Sequence, residues 1–214
     1  MPGTMPAMLI ASPDGVQLAC DSHGSGPDLL LVHGTGADGG FWRPVRAALE
    51  ASFTTHAMDR RGSGRSHDAP AYAIEREYAD VAACLAALPS RPADVVAHSF
   101  GALCALGAAR AGAGIRRLVL YEPPIPAPGA PYHAPDLIPA MRAALAGGDP
   151  GAAIAAFLTG VHGMKPDDVA RLRRLATWRG QLAAAPLLLR ELEAVQRFRF
   201  VAADYADWCI PTLL

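Results

Sequence analysis

A chain of 214 residues, 51% of them hydrophobic and 18% charged, is long enough to bury one substantial core and too apolar to stay disordered. A formal net charge of -1 supplies none of the basic surface that a phosphate backbone attracts, so no nucleic acid partner is expected. Met1 to Asp21 lacks the basic-then-apolar order of an export signal, and no stretch offers the roughly 18 unbroken apolar residues of a bilayer span. The expectation is a cytoplasmic protein with no membrane partner.

Ala7 to Asp21 reads as two short antiparallel strands around Asp14-Gly15, a dipeptide suited to the positive backbone angles of a tight turn. Asp28 to Val32 is apolar after its first residue, as a strand covered on both faces is. Helix and strand then alternate: helix 41–51, strand 53–58, helix 74–87, strand 94–97, helix 101–111 and strand 115–121. Val81, Leu85 and Leu88 recur at helical spacing and mark a buried face. The alternation predicts an α/β fold, a mostly parallel sheet with helices on both faces and antiparallel first strands.

At Glu122-Pro123-Pro124 the pattern changes to helices. Asp136 is placed to cap a helix over 137–146, Gly147-Gly148 to stop it and Asp149-Pro150 to start another; further helices start near Lys165-Pro166 and run from Pro186 to about Arg197. Strand-like sequence returns near Ile210. The expected organisation is a core over residues 1–122, a helical insert over 123–200 and a return to the core over 201–214. Cys20, Cys84, Cys104 and Cys209 form no Cys-x-x-Cys pair, so they read as buried free thiols and no metal site is expected.

Ala97-His98-Ser99-Phe100-Gly101 follows a buried strand and precedes a helix, which places Ser99 on a sharp turn above the carboxyl edge of the sheet. Small residues are needed two places to either side, where strand and helix backbones meet; Gly101 satisfies this and Ala97 does so with a methyl to spare. His33-Gly34-Thr35-Gly36 follows the preceding central strand, where a backbone N–H can point to the same spot as that of Phe100.

A strand ending in His33-Gly34, then Asp59-Arg60-Arg61-Gly62-Ser63-Gly64-Arg65-Ser66, then the serine turn, resembles the α/β-hydrolase superfamily over roughly the first 125 residues. The resemblance implies Ser99 as nucleophile and the Thr35 and Phe100 amides as oxyanion donors. It also implies a helical cap over the pocket from Pro123 to about Arg197 and no cofactor. A serine at this turn implies cleavage of ester, thioester or lactone bonds in a small-molecule substrate with an apolar acyl part. Phe157, Met164 and Trp178 are candidates to line its pocket or simply to pack.

In that family an acid and then a histidine follow the serine in chain order. Here Cys209 to Leu214 resembles the beginning of the seventh strand, so the acid, the base and the last strands are expected to be missing and activity to be weak or nil. Among the histidines present, His98 is separated from Ser99 by backbone, His33 organises its loop, His56 lies in a strand, and His23 and His67 read as loop residues; His133 and His162 remain as substitute bases. Glu122, just past a strand, is the substitute acid or else a hinge carboxylate. An open edge beside Ile115 to Tyr121 invites self-association.

Two other readings compete. Gly34-x-Gly36-x-x-Gly39 with Asp59 at the end of the next strand matches a dinucleotide-binding fingerprint and suggests an NAD(P)-binding oxidoreductase. A chain that keeps the pocket without the triad would be a non-catalytic ligand-binding remnant. Gly62 to Ser66 lacks the Gly-Lys-Ser/Thr element of a phosphate loop and is better explained by a turn requirement.

Overall fold

In the computed structural model, which describes residues 8–126, 130–175 and 178–214, β1 (Met8–Ala11) and β2 (Gln17–Gly24) run antiparallel around Gly15 at φ 87°. Ala7, where the first strand is expected to begin, lies outside the described residues. β2 runs on to Gly24, so His23 sits in a strand and not in the expected loop. β2 pairs antiparallel with β4 (Thr54–Met58), while β4, β3 (Asp28–Val32), β5 (Ala93–His98), β6 (Ile115–Tyr121) and β7 (Thr212–Leu213) are mutually parallel. The described sheet has the order β1-β2-β4-β3-β5-β6-β7.

β3 is buried at every residue, which is why its sequence shows a run and not an alternation. Period-two geometry sends Leu29 and Leu31 to one face and Leu30 and Val32 to the other. The first pair packs with Trp42, Ala57, Leu49, Phe53 and Val96 beneath a 3-10 turn (Gly39–Trp42) and α1 (Arg43–Glu50). Asp38 accepts the Gly40 N–H and caps that turn, so the helix expected over 41–51 begins as 3-10. α2 (Ile74–Ala87) and α3 (Phe100–Arg110) pack on each other, with Val81, Leu85 and Leu88 almost fully buried. Each such aliphatic side chain contributes about 2 kcal/mol on burial.

The chain divides into Met1–Pro124 with Phe200–Leu214, and Ile125–Arg199. The second unit holds α4 (Leu137–Ala146), α5 (Pro150–Gly160), α6 (Pro166–Leu172), α7 (Trp178–Leu182) and α8 (Ala185–Arg197). Asp149 caps α5 by accepting the Ala152 N–H at 2.8 Å, whereas Asp136 makes no capping hydrogen bond. Its own helical conformation holds Asp136 inside the turn it was expected to cap. α7 was not expected: five residues are too few to show a helical period. Phe157 and Trp178 pack into this unit's core with Leu137, Met141, Ile154 and Leu188.

β7 pairs with β6 at Leu118 and Val119, so the edge expected beside Ile115–Tyr121 is partly paired and the outer strand of the described sheet is β7. Cys20, Cys84 and Cys104 are buried; Cys209 is exposed, because it precedes β7 on the surface. Among the described residues no helix is long and apolar enough to cross a membrane.

Candidate active site

β5 ends at His98 and α3 begins at Phe100, so Ser99 alone makes the turn between them, at φ 50° and ψ -123°. Such a backbone is strained for a residue with a Cβ, by about 1–3 kcal/mol, and persists only where neighbours fix it. The Ser99 N–H donates to the Tyr121 carbonyl at 2.9 Å, and its own carbonyl accepts the Ala102 N–H at 2.8 Å. Its hydroxyl caps nothing and makes no hydrogen bond among the described residues.

Two glycines allow this turn to close on the loop after β3. A Cβ on Gly101 would stand 2.3 Å from the His33 carbonyl oxygen, which explains the small residue two places after Ser99. A Cβ on Gly34 would stand 2.9 Å from both the Ser99 Cβ and His98 Nδ1. The His33-Gly34 backbone therefore lies directly against Ser99. Ala97, buried between β3 and β6, accommodates its methyl.

His33 is fully buried and has both ring nitrogens engaged. Nδ1 lies 2.8 Å from the Gly34 carbonyl and Nε2 accepts the Arg60 N–H at 3.1 Å, which assigns the proton to Nδ1. Desolvation, followed by the Arg60 charge, pushes its pKa well below the ordinary value, so the ring is neutral. It organises the loop and has no free lone pair for a base.

Sequence reasoning missed Arg60 as the anchor of this loop. Its guanidinium, fully buried, donates from Nε to the His33 carbonyl at 3.0 Å and from Nη2 to the Gly34 carbonyl at 3.3 Å. Nη1 contacts both oxygens of buried Glu77 at 3.0 and 2.9 Å, and the cation stands 5.0 Å from the Phe100 ring centroid. Because a peptide plane sets C=O and N–H trans, drawing the Gly34 carbonyl toward Arg60 and His33 turns the Thr35 N–H the other way. Neither the Thr35 nor the Phe100 amide donates a hydrogen bond among the described residues, and Phe100 N–H is an open donor at the start of α3.

Asp59 is buried, and its carboxylate accepts Gly39 N–H at 2.7 Å and Arg65 N–H at 2.9 Å. A Cβ on Gly64 (φ 54°) would fall 2.4 Å from the Asp59 carboxyl carbon, so Gly62 to Ser66 is a turn wrapped on that carboxylate. The oxygens a ribose would need are occupied, which removes the basis of the dinucleotide fingerprint.

Glu122 also has a positive φ, 51°, and its side chain is 71% exposed with Oε2 3.9 Å from His98 Nε2. His98 is stacked on Phe41, ring centroids 4.7 Å apart, and tilted against Tyr121 at 5.3 Å. His56 bonds to Asp28 and Ser22 elsewhere in the sheet, and His67 is exposed. His133 and His162 belong to the helical unit, where His133 Nδ1 faces the Ala134 carbonyl and the His162 ring packs edge-on to Phe157.

Residues 29–211 match the model of the alpha/beta hydrolase family. N-formylmaleamate deformylase of Pseudomonas putida is 36% identical over 130 residues, covering 58% of this chain and 48% of that protein. Pimeloyl-[acyl-carrier protein] methyl ester esterase of Vibrio atlanticus is 42% identical over 82 residues, 38% of this chain and 30% of that one. The chain spans about half or less of the length of these relatives. The crystal structure of an alpha/beta hydrolase from Sphaerobacter thermophilus superposes with a TM-score of 0.84 at 35% identity, covering 96% of this chain and 80% of that one. With the strand order, the Ser99 turn and the glycine loop packed against it all in place, the chain belongs to the alpha/beta hydrolase family.

Proposed function

We propose that this chain carries the nucleophile and oxyanion site of a serine hydrolase that cleaves ester, thioester or lactone bonds in a small molecule with an apolar acyl part. The observation that carries the reading is the strained Ser99 turn with Gly34 pressed against it, where the hydroxyl and the Thr35 and Phe100 amides make no hydrogen bond among the described residues. In this mechanism Ser99 Oγ attacks the acyl carbon, and the Thr35 and Phe100 amides hold the oxygen that becomes an anion. The alcohol or thiol departs as it takes up the proton lost by the serine (a lactone's freed hydroxyl stays tethered to the acyl chain), and water then hydrolyses the acyl-enzyme, releasing the acid and restoring the Ser99 hydroxyl. Relatives named as a deformylase and a methyl ester esterase support transfer of an acyl group to water as the reaction class.

Removal of the Ser99 proton is the slow step in this reading. No group among the described residues is hydrogen-bonded to the hydroxyl, and an uncoupled serine stays protonated. Glu122 contributes as an acid only through His98, and at 71% exposure water screens that contact. Thiol release from a butyryl thioester tests the proposal. It is expected to be slow in the 214-residue protein and to fall by about 100-fold in Ser99→Ala. Equal release by both proteins, with the thioester still bound by both, would instead identify a ligand-binding remnant.

A further inference from the structure

A second serine in this protein is better coupled to an imidazole than Ser99. Ser22 on β2 stands directly opposite His56 on β4, and its Oγ lies 2.8 Å from His56 Nδ1. His56 Nε2 lies 2.7 Å from Asp28 Oδ1, and the other Asp28 oxygen accepts the Ser90 N–H at 2.6 Å. Strand geometry accounts for the alignment. His56 pairs with Leu30 on β3, and Asp28, two residues before Leu30, presents its side chain to the same face.

We propose that Ser22, His56 and Asp28 form a second activated serine, separate from Ser99, that takes small acyl or phosphoryl donors with good leaving groups. Each side chain has the environment its part requires. His56 and Asp28 are each 4% exposed, whereas Ser22 is only half-buried and reachable from solvent. Burial alone raises the Asp28 carboxyl, but hydrogen bonds from His56 and Ser90 outweigh it and hold the group below its ordinary value. The ionised carboxylate fixes the His56 proton on Nε2, and the Nδ1 lone pair then faces the Ser22 hydroxyl. A buried ionisable pair is costly where apolar side chains would pack, and β3 supplies apolar side chains at every other position.

Three strand steps separate β2 from β5, about 14 Å at ordinary strand spacing, so the two serines share no residue. Ser22 lies within a strand and not at a helix N-terminus, so it lacks the paired amides of the Ser99 turn. That restricts it to activated donors. With diisopropyl fluorophosphate, Ser22 Oγ bonds to phosphorus as fluoride leaves; the hydroxyl proton passes to His56 Nδ1 and on to water, and Asp28 stays ionised.

The test exposes the 214-residue Ser99→Ala protein to diisopropyl fluorophosphate and locates any adduct by peptide mass mapping. One adduct on Ser22 is expected, absent in Ser22→Ala/Ser99→Ala and formed about 100-fold more slowly in His56→Gln. A folded Ser99→Ala protein with no adduct, or with an adduct elsewhere, overturns the proposal. Mapping of Ser99→Ala decides the matter even if His56→Gln fails to fold. In the unsubstituted protein, an adduct on Ser99 but not Ser22 overturns this inference and leaves the Ser99 reading intact; the reverse pattern does the opposite.

Discussion

At the scale of single residues, Gly34 is where the least change should do the most to Ser99. A methyl there meets the Ser99 Cβ and His98 Nδ1 at 2.9 Å, while the backbone itself is not in the left-handed region. Gly34→Ala is therefore expected to cost about 1–3 kcal/mol of stability through overpacking and to slow Ser99 acylation by about 100-fold, as a displacement near 1 Å does. Rates of thiol release beside thermal melts check this. His33 carries the pH dependence. Its folded pKa lies well below the unfolded value of 6.5, so between those two values the unfolded chain binds a proton that the folded chain does not. Stability should be flat above about pH 7 and fall by about 1.4 kcal/mol per pH unit as pH drops through 6. Urea unfolding at a series of pH values measures that slope, and His33→Asn should abolish it.

At the scale of elements, α2 ties the Ser99 loop to the scaffold. Its buried stripe of Val81, Leu85 and Leu88, continued backward at helical spacing, reaches Asp80 and Glu77, both almost fully buried. Acidic residues on such a stripe require buried cations, and Arg60 and Arg61 supply them: Arg60 to Glu77, and Arg61 to Asp80 at 2.6 Å. Arg60→Met alone should cost about 3–5 kcal/mol by leaving Glu77 uncompensated, whereas Arg60→Met/Glu77→Met should recover most of it. Urea titrations give both values. The double variant should still acylate slowly, because the Gly34 carbonyl has lost one of its two anchors.

That pairing also marks how far the sequence could be read. The run of β3, the order of β4, α2, β5, α3 and β6, and the serine turn were legible because each rests on a local period or a turn requirement. The charges of Asp59-Arg60-Arg61 were visible as a motif, but their partners lie 17 and 19 residues away on another element, and only the acidic interruptions of the α2 stripe signalled them. α7 and the exposure of Cys209 left no periodic trace. The Ser22, His56 and Asp28 chain depends on strand register, which a list of histidines does not contain.

At the scale of the whole sheet, one face is unevenly covered. A groove of ≈ 450 Å³ runs beside α1, lined by Leu29, Phe53, Val96, Val119 and Leu213 among others. Its walls are mid-strand residues and not the carboxyl ends of the strands, so it is not the substrate site proposed for Ser99. Val119→Lys, which places a charge in this groove, is therefore expected to leave the rate of Ser99 acylation unchanged, and thiol release measures it.

The chemistry proposed for the β5–α3 turn requires Ser99 to be a nucleophile. Prolonged exposure of the folded 214-residue protein to a fluorophosphonate, followed by peptide mapping beside Ser99→Ala, tests this most directly. A slowly formed adduct on Ser99 is expected, with none at that position in the variant. An unlabelled Ser99 in a folded protein would contradict it.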